Sequence, residues 1–529
     1  MANTSVVAAL LVGVSYVIFR LLNKVVESRR RTAEAHRLGC KDPPLEPNRW
    51  PFGIHNVMKA MKADKAKLFL EWIGERHAAM GVNTWRYSLF GLTNVFTTDP
   101  KNVQAILANN FGTFDLGPQR EGMFWPLLGS GIFTQSAKEW KHSRELMRPQ
   151  FTRDQVSDLD LEELHLQNMV SALRDRIQPD GWTNMVDLQV LFFRLTLDSA
   201  TEFLLGESAD SQLQHIPGYG KERNSAEDIH NIDFAFHFDR GQVGLATRTH
   251  LGPMYWLYTS SKFRESVREC NKFIDYYVKR ALVKDLREKG SEKDGKKKKY
   301  VFLDAIAEKT QDPIELRSQL LNILLAGRDT TASLLGWLFH LLAKDPARYK
   351  KLRDTIVEEF GTFSNPKEIT FAGLKGCQYL QHCNNETLRL YPVVPINSRW
   401  AYNDSVLPTG GGPNGTDPVF VPKNTAVDYC VYLTHRRKDI WGPDADEFRP
   451  ERWEGRKVGW EFLPFNGGPR ICLGQQFALA ESSYVTVRLL QRFDALESME
   501  RDPVARQHLT LTSCKAYGVN VRMHAAAQS

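Results

Sequence analysis

One cysteine near the carboxyl end lies in a segment whose residue types suit metal chemistry. Residues 465–474 read FNGGPRICLG, and a helical pattern begins directly afterwards at Gln475. The glycines around Cys472 let the backbone pass close to a flat, bulky group. Because unpaired N–H groups at a helix start stabilise a thiolate, we expect a lowered pKa for this thiol. A thiolate is a strongly donating axial ligand for haem iron, and the alternative is a buried structural cysteine.

The second candidate site is an acid beside an alcohol within a long helical pattern. Residues 317–344 have helical spacing and contain the segment LAGRDTT at 325–331. Glycine inside a helix lowers helix stability by about 1 kcal/mol relative to alanine. Such departures from helix preference occur where a functional requirement outweighs the loss of stability. Ala326 and Thr330 are four residues apart and share a face, which leaves room for O2 and water. The alternative, a helix contact made by small residues, does not account for Asp329 beside the alcohol.

These two segments resemble motifs of the cytochrome P-450 superfamily of haem-thiolate monooxygenases. Residues 465–474 match its F-x-x-G-x-R-x-C-x-G signature, and residues 326–330 resemble its A-G-x-[DE]-T motif. The resemblance implies haem b, an iron protoporphyrin IX, with Cys472 as the axial iron ligand. It also implies that Asp329 and Thr330 deliver protons for the activation of O2, the co-substrate. The other residues that it places at the cofactor here are Phe465, Arg470, Ala326 and Gly474.

A pair of charged residues extends the resemblance. Glu386 and Arg389 are three apart on a helical pattern, so their side chains can meet. On its own, a pair of this kind is usually a solvated surface contact that adds little to folding stability. They match the superfamily's E-x-x-R motif, and residues 448–453 match its later P-E-R-[FW] segment. The resemblance therefore implies a buried structural network of Glu386, Arg389 and Arg452, because removing one member would strand a buried charge.

Three further residues match superfamily positions at the haem propionates. Trp140 and Arg144 match the W-x-x-x-R pattern of a helix that covers one propionate. Arg399 lies where family members place another propionate partner. With Arg470, the resemblance places three guanidinium groups and one indole N–H near two carboxylates, which suits the forked geometry of arginine.

The resemblance is closest to the fungal branch that hydroxylates alkanes and fatty acids. It rests on residues 317–331, on GIFT at 131–134 and on residues 465–478. This branch implies hydroxylation at or near the terminal (ω) carbon, for which a narrow channel must present the chain end-on. Tailoring of a lipid-like or polyketide secondary metabolite by the same chemistry remains an alternative. The candidate substrate-lining residues, each of which could instead be ordinary core, are Phe124, Leu127, Leu128, Leu321, Leu325, Val394 and Ile396.

The superfamily's electron supply implies a partner protein. No flavin or nicotinamide domain is visible among the 529 residues, so NADPH would act through a separate NADPH-cytochrome P-450 reductase. Cytochrome b5 is a second candidate donor. Lys138, Lys141 and Arg148 are candidates for docking the reductase's acidic face. The competing classes are a haem-thiolate isomerase or dehydratase, which would turn over without NADPH, and a non-enzymatic lipid- or haem-binding membrane protein.

The segments that position these residues are mainly helical. Residues 65–400 show apolar spacings of three and four, residues 400–430 alternate like strands, and a helix is predicted at 475–493. The predicted fold is mainly α with small β-sheets (α+β), as in the cytochrome P-450 fold. Residues 410–415 match G-x-G-x-x-G, but Pro413 and Pro418 rule out a phosphate-binding helix start, so we predict a loop without a nucleotide role.

The amino-terminal residues predict a membrane anchor. The first 19 residues are uncharged, and Arg29–Arg31 follow the apolar run, which favours an uncleaved anchor with a cytosolic catalytic domain over a signal peptide. We therefore predict an anchor at 1–28 that spans once as a helix, a basic and proline-rich tether at 29–60 and a catalytic domain at 61–529. The expected location is the endoplasmic reticulum membrane.

Charge and cysteine usage exclude other classes. The net charge is +7, but residues 20–37 and 284–299 each carry +4, so the remainder is nearly neutral and nucleic acid is not expected. We interpret residues 290–299 as a solvated surface loop. Seven scattered cysteines with no Cys-x-x-Cys pair predict neither a disulfide framework nor a zinc site.

Overall fold

Helices make up most of the chain, and several begin where the sequence supplies an aspartate followed by proline. The computed structural model describes residues 2–47, 50, 53–152, 159–215, 233–288 and 300–527. Asp312 accepts a hydrogen bond from Ile314 N at 2.9 Å, and Pro313 occupies the first helical position. Asp99 and Asp345 cap two other helices in the same way. An aspartate cap and an initial proline both favour a helix start.

The helices and strands are numbered in chain order. The α-helices are α1 (Ala2–Arg37), α2 (Ile54–Lys65), α3 (Phe69–Met80), α4 (Pro100–Gln104), α5 (Pro118–Leu128), α6 (Ala137–Met147), α7 (Asp160–Arg174), α8 (Leu188–Leu205), α9 (Phe234–His250), α10 (Ser261–Glu288), α11 (Phe302–Ala307), α12 (Pro313–Ala343), α13 (Pro346–Phe360), α14 (Phe371–Gly376), α15 (Gln378–Leu390), α16 (Val431–Thr434), α17 (Lys438–Trp441) and α18 (Gln475–Arg492). The strands are β1 (Thr84–Leu89), β2 (Leu92–Thr97), β3 (Phe114–Asp115), β4 (Val186–Asp187), β5 (Ile396–Ala401), β6 (Ser405–Gly411), β7 (Asp417–Val421), β8 (Ala426–Cys430), β9 (Phe493–Ser498), β10 (Gln507–Leu509), β11 (Ser513–Lys515) and β12 (Asn520–Ala525).

Helix α12 runs through the interior. It packs against α8, α10, α15 and α18, and most of its side chains are buried. Its first half joins a core cluster with α5, α8 and α10, and its second half joins another with α7, α8 and α18. A helix that is apolar on all sides is stable only when it is surrounded in this way. Residues on α12 are therefore held firmly relative to the rest of the chain.

Small sheets lie beside the helices. The largest has the order β1-β2-β8-β5-β3, in which only β2 and β8 are parallel, with Val95 opposite Val427. Its strand β5 carries Arg399, and β3 pairs with β5 so that Asp115 lies opposite Trp400. A three-stranded sheet β4-β12-β9 and the pairs β6-β7 and β10-β11 complete the described strands. The sheets thus bring distant segments next to α12.

The predicted architecture is confirmed as mainly helical with small sheets. The predicted helices at 317–344 and 475–493 are present with slightly different ends, as α12 and α18. Residues 410–411 end β6 and residues 412–415 form the turn before β7, so the predicted loop is confirmed for 412–415, and a strand rather than a helix follows.

The amino-terminal segment forms one continuous helix, α1, which extends beyond the predicted anchor boundary at residue 28 to Arg37. Among the described residues, no helix combines the length and apolar character of a membrane span, so the predicted transmembrane helix is not found. Met1, residues 48–49 and 51–52 of the predicted tether, and the lysine-rich loop at 290–299 lie outside the described residues.

Candidate active site

A large internal cavity lies between α12 and the segment that precedes α18. Its empty space is about 1930 Å³, part of which is open to solvent. Helices α5, α6 and α8, strand β5 and the segment before β11 contribute the other walls. The lining is mostly aliphatic and aromatic, and its charged side chains are arginines. The cavity therefore suits a mostly apolar occupant that carries negative charge in one region.

The cysteine loop has a backbone shape that requires glycine. Gly468 has φ +68°, and a Cβ there would lie 2.0 Å from the carbonyl oxygen of Leu107. Cys472 N donates to the carbonyl oxygen of Phe465 at 3.1 Å, which closes the loop. Cys472, Phe465 and Gly474 all line the cavity, and α18 begins directly after Gly474. The loop thus presents the thiol to the cavity.

The expected lowering of the Cys472 pKa is wrong for the ligand-free chain. Burial of the group raises the pKa of the thiol, although the Gly474 N–H and the Arg144 guanidinium act in the opposite direction. The side chain is accessible because it borders the cavity, but protein surrounds the loop. Desolvation therefore outweighs the helix start. Coordination to a metal would deprotonate the thiol regardless of this shift.

Four arginines converge on the cavity, and we call them the arginine cluster. Its members Arg120, Arg144, Arg399 and Arg470 all line the cavity, together with Trp140. Burial, followed by repulsion from Arg399, lowers the pKa of Arg120 to about 10. The pKa of Arg470 is also lowered, to about 10, first by burial. The cluster is therefore a site where positive charge is crowded and poorly solvated.

The arginine cluster has little negative charge to balance it. Arg470 Nη2 donates to Asp115 Oδ1 at 2.5 Å and to the carbonyl oxygen of Gln135 at 3.0 Å. Among the described residues, no other member of the cluster has a carboxylate within salt-bridge distance. Arg470 Nε is buried without a hydrogen-bond partner in that part of the chain. Because unpaired buried charge is costly, the cluster favours a ligand that carries carboxylates.

These residues fit the haem that the sequence predicts. Its two propionates would neutralise the excess positive charge of the arginine cluster, and the Arg470 Nε without a partner is a ready donor. Cys472 supplies the thiol that iron requires on one side, and Ala326 supplies a small side chain in the opposite wall. Arg120 would belong to this site but lies in no motif, so no sequence signal identified it.

The alcohol on α12 lies at the cavity as predicted. Thr330 Oγ1 donates to the carbonyl oxygen of Ala326 at 2.6 Å, one turn earlier on the helix. Ala326, Gly327 and Thr330 all line the cavity. This bond consumes the hydroxyl proton and leaves the oxygen lone pairs free to accept from a ligand or water.

The neighbouring acid, Asp329, faces away from the cavity. Asp329 is not among the cavity-lining residues, and its Oδ1 accepts from Arg328 Nη1 at 3.2 Å. Arg328 also pairs with Asp239 on α9. Burial raises the pKa of Asp329 to about 6, and Asp239 adds to the rise while Arg328 opposes it. The structure thus does not bring Asp329 together with Thr330 at the cavity, because consecutive helical residues point in different directions.

The predicted structural triad forms one network, which we call the paired network. Arg389 donates to both carboxylate oxygens of Glu386, at 2.8 and 2.9 Å, and Arg452 Nε donates to Glu386 Oε1 at 2.8 Å. Trp453 Nε1 and the backbone N of Arg449 donate to the same carboxylate. Glu386 and Arg389 are 0% exposed. Both carboxylate oxygens of Glu386 therefore accept hydrogen bonds. The network joins α15 to the segment before the cysteine loop.

Four of the seven predicted substrate residues line the cavity: Phe124, Leu128, Leu325 and Val394. The prediction is wrong for the other three. Leu127 packs toward Gly241 of α9, Leu321 is buried in the core cluster, and Ile396 packs with the cluster around Trp85. Sequence reasoning missed residues from distant segments. The additional apolar lining residues include Phe133, Ala200, Phe203, Leu204, Val393 and Leu511.

The three candidate docking residues are exposed. Lys138 and Lys141 lie on α6, and Arg148 follows its end. Arg148 borders a surface groove that also contains Cys472 and Leu473. Arg148 is therefore near the outer side of the cysteine loop.

Comparison with known proteins agrees with this geometry. The sequence model described as Cytochrome P450 matches residues 43–521. "Cytochrome P450 monooxygenase g430" of Fusarium sp. is 56% identical over 97% of this chain and 90% of its own length. "Cytochrome P450 52A5" of Candida maltosa is 44% identical over 92% of each chain, and "Cytochrome P450 monooxygenase alt2" of Alternaria solani is 42% identical over 93% of each. With a thiol, an alcohol and an arginine cluster placed around one cavity, the chain belongs to the cytochrome P450 family and is a monooxygenase.

Proposed function

We propose that this monooxygenase hydroxylates long-chain n-alkanes or fatty acids at or near the terminal carbon. The observation that carries this proposal is the distribution of polarity in the cavity. Aliphatic and aromatic side chains form most of the wall, and the arginine cluster accounts for the charged part. If haem propionates neutralise the arginines, the remaining space is apolar and suits a hydrocarbon chain. The sequence resemblance to the fungal alkane- and fatty-acid-hydroxylating branch supports the same substrate class.

The reaction converts substrate, O2, two electrons and two protons into an alcohol and water. Haem, held by Cys472 and the arginine cluster, would supply the activation of O2 when bound, with electrons from NADPH through a reductase. The chain's own residues position the reacting groups and exclude water. Thr330 holds a hydroxyl at the cavity, and the apolar wall excludes water and orients the substrate.

Titration with graded substrates tests the proposal. We expect the spin-state shift of the haem-loaded enzyme to strengthen with chain length among alkanes and fatty acids and to require a free chain terminus. Phe203→Ala, which removes a wall residue from α8, should change the preferred length, whereas Phe236→Ala on the exposed side of α9 should not. Equal response to compact and extended apolar compounds would contradict the proposal.

A lipid-like secondary metabolite is a second candidate substrate. Asn397 and Thr512 line the cavity among apolar residues. Asn397 Oδ1 already accepts from Ser398 N, so the argument rests on Thr512: a plain hydrocarbon offers its hydroxyl no partner, whereas an oxygenated substrate could bind it. Tighter binding of oxygenated lipids than of alkanes, lost in Thr512→Val, would favour this candidate.

Dependence on electron supply separates these candidates from the other classes. A monooxygenase needs NADPH, reductase and O2, whereas an isomerase or dehydratase would turn over without them. The reduced, CO-bound protein should show the red-shifted Soret band of a thiolate ligand, and Cys472→Ala should abolish it. A binding protein would form no product under either condition.

We also propose that a basic face docks the reductase, with cytochrome b5 as an additional donor. The exposure of Lys138, Lys141 and Arg148, and the position of Arg148 beside the cysteine loop, support this surface. Reversing the charge of Lys141 should slow reduction at low salt and have little effect at high salt. A matched reversal of Lys350 on α13 is the control.

The location we propose is the endoplasmic reticulum membrane, with α1 in contact with the bilayer surface. Large apolar side chains of α1 are exposed at consecutive positions, such as Leu11 at 62% and Val12 at 70%. Ile54, Met58 and Met61 form an exposed apolar stripe on α2. The full chain should float with phospholipid vesicles, and a Leu11→Glu/Val12→Glu variant should float less. Recovery of the unaltered chain in the soluble fraction would contradict this location.

A further inference from the structure

A buried tyrosine lies between the cysteine loop and the arginine cluster, outside the motifs recognised in the sequence. Tyr429 is on β8, the middle strand of the five-stranded sheet, and is 1% exposed. It lines the cavity and belongs to a core cluster against which Trp460 and Leu463 pack, just before the cysteine loop of residues 465–474. A buried tyrosine hydroxyl usually has a hydrogen-bond partner, and that partner indicates what the side chain holds in place.

The partner is a side chain of the cysteine loop itself. Tyr429 Oη donates to Asn466 Oδ1 at 3.1 Å. Asn466 has φ +63°, in the left-handed region that residues other than glycine rarely adopt, although asparagine does so more readily than most. Its neighbour Phe465 provides the carbonyl oxygen that accepts from Cys472 N. The hydrogen bond from Tyr429 therefore acts on the same backbone turn that places the thiol.

The same tyrosine also faces the arginine cluster. The Cζ atom of Arg399 is 5.8 Å from the centroid of the Tyr429 ring. Burial raises the pKa of the phenol above its ordinary value, although the charges of Arg399, Arg120 and Arg470 oppose the rise. The hydroxyl therefore keeps its proton at neutral pH and remains a donor to Asn466.

The two partners of this hydrogen bond differ in how firmly the backbone holds them. Strand β8 is paired on both sides, with Thr97 of β2 and Asn397 of β5 next to Tyr429. The cysteine loop, in contrast, consists of turns and one short helical turn at Gly468–Arg470. A segment with few backbone hydrogen bonds depends on side-chain contacts for its position. The sheet is therefore a fixed base from which Tyr429 can hold the loop.

We propose that Tyr429 is a positioning residue that fixes the cysteine loop relative to the arginine cluster by holding the side chain of Asn466. Its role concerns geometry rather than the transfer of protons or electrons. Tyr429 acts through Asn466, whose turn sets the position of the Cys472 thiol, while its ring stays in contact with Arg399. A cofactor bound by the thiol at its metal and by arginines at its carboxylates needs both groups at a fixed separation. The role does not depend on which substrate is hydroxylated.

The principal test compares Tyr429→Phe and Asn466→Gly in the haem-loaded enzyme. In each variant, the reduced, CO-bound form should lose the red-shifted Soret band of the thiolate ligand several-fold faster than in the unaltered protein. Each variant should also raise the reduction potential of the haem, because a less firmly held thiolate donates less charge to the iron. Glycine adopts φ +63° without strain, so Asn466→Gly keeps the backbone shape and removes the acceptor. The double variant should be no worse than either single variant, because both remove one hydrogen bond.

Two controls separate this role from a general loss of stability. Tyr349→Phe removes the hydroxyl of another buried tyrosine, which donates to the carbonyl oxygen of Phe493 at 2.9 Å in a different core cluster. Asn424→Gly replaces another asparagine with positive φ, +68°, in the exposed turn before β8. Both controls should leave the lifetime of the thiolate band and the reduction potential unchanged. An ordinary lifetime in Asn466→Gly, or a double variant whose effects add, would overturn the proposal.

A second measurement needs no cofactor. In the ligand-free chain, hydrogen exchange followed by mass spectrometry should be several-fold faster for the amides of residues 463–474 in Tyr429→Phe than in the unaltered protein. Tyr349→Phe should instead accelerate exchange in α13, the helix that carries it, and leave residues 463–474 unchanged. Equal exchange of residues 463–474 in Tyr429→Phe and the unaltered protein would overturn the proposal, because the loop would then be held without this hydrogen bond.

Discussion

Two groups of arginines in this protein are placed in opposite electrostatic settings. In the paired network, Arg389 and Arg452 share the carboxylate of Glu386, and backbone carbonyl groups and the Asp444 carboxylate take other donors. In the arginine cluster, Asp115 is the carboxylate that pairs with Arg470, and burial and mutual repulsion lower the pKa of both Arg120 and Arg470. The first group is balanced by the protein itself, whereas the second is not.

The difference distinguishes structure from binding. A balanced buried network stabilises one conformation and leaves nothing for a ligand to neutralise. An unbalanced cluster costs folding energy until a ligand with negative charge arrives. Charge imbalance, more than burial alone, therefore identifies the cofactor site. The following predictions test that contrast, beginning with the largest effect.

Removing the shared carboxylate should damage the paired network most. Glu386→Ala would leave the buried Arg389 without a counter-charge and Arg452 with Asp444 alone, and we expect a loss of about 3–5 kcal/mol in the free energy of unfolding. Urea unfolding followed by circular dichroism measures the change. The control is Glu454→Ala, an exposed position near the same network. A Glu386→Ala protein of normal stability would show that the network does not hold the fold.

The histidine that joins the paired network should make stability sensitive to acid. His435 accepts from Leu463 N at 2.9 Å, and burial followed by the charge of Arg389 lowers its pKa to about 3. The unfolded chain binds a proton below about pH 6.5 while the native chain does not, so stability falls as pH falls from about 6.5 to 3. We expect the free energy of unfolding to fall by about 4 kcal/mol over that window. His435→Gln should show a shallower pH dependence of urea unfolding.

Arg470→Met should weaken cofactor binding more than it weakens the ligand-free fold. Loss of a charged hydrogen bond should weaken haem binding by about 1.5–3 kcal/mol, which corresponds to roughly tenfold to hundredfold faster haem dissociation. The rate of haem transfer to apomyoglobin measures it. Asp115 loses its guanidinium partner, but one crowded positive charge is also removed, so the melting temperature of the ligand-free protein should fall much less than in Glu386→Ala. A large drop in that temperature would place Arg470 with the paired network instead.

Arg120→Gln should act in the same direction with a smaller effect. Arg120 has one weak bond to the carbonyl oxygen of Phe133, at 3.4 Å, and is less fixed than Arg470. We expect haem binding to weaken by about 1 kcal/mol, which corresponds to a several-fold faster haem dissociation. The same transfer assay measures it. Arg317→Gln, which removes an arginine paired with Asp275 outside the cavity, is the control and should leave haem dissociation unchanged.

Local motifs predicted one part of the site well, and long-range contacts explain the rest. The cysteine loop and the Thr330–Ala326 bond depend on residues close in sequence, so their spacing sufficed. Arg120 and Leu511 reach the cavity only through tertiary packing. The direction of Asp329 could have been anticipated, because neighbouring helical residues differ by about 100° around the axis. The Cys472 pKa could not, since the degree of enclosure depends on the whole fold.

The turn that joins β10 to β11 has a consequence for biosynthesis. Leu511 and Thr512 complete the cavity wall, Ser513 N donates to the carbonyl oxygen of Val393, and Gln507 N donates to that of Lys67. These residues follow their partners in the chain, so they leave the ribosome after them. The haem pocket therefore cannot close until residue 513 has been made, and firm cofactor capture follows that step. A nascent chain arrested before residue 507 should hold haem only loosely.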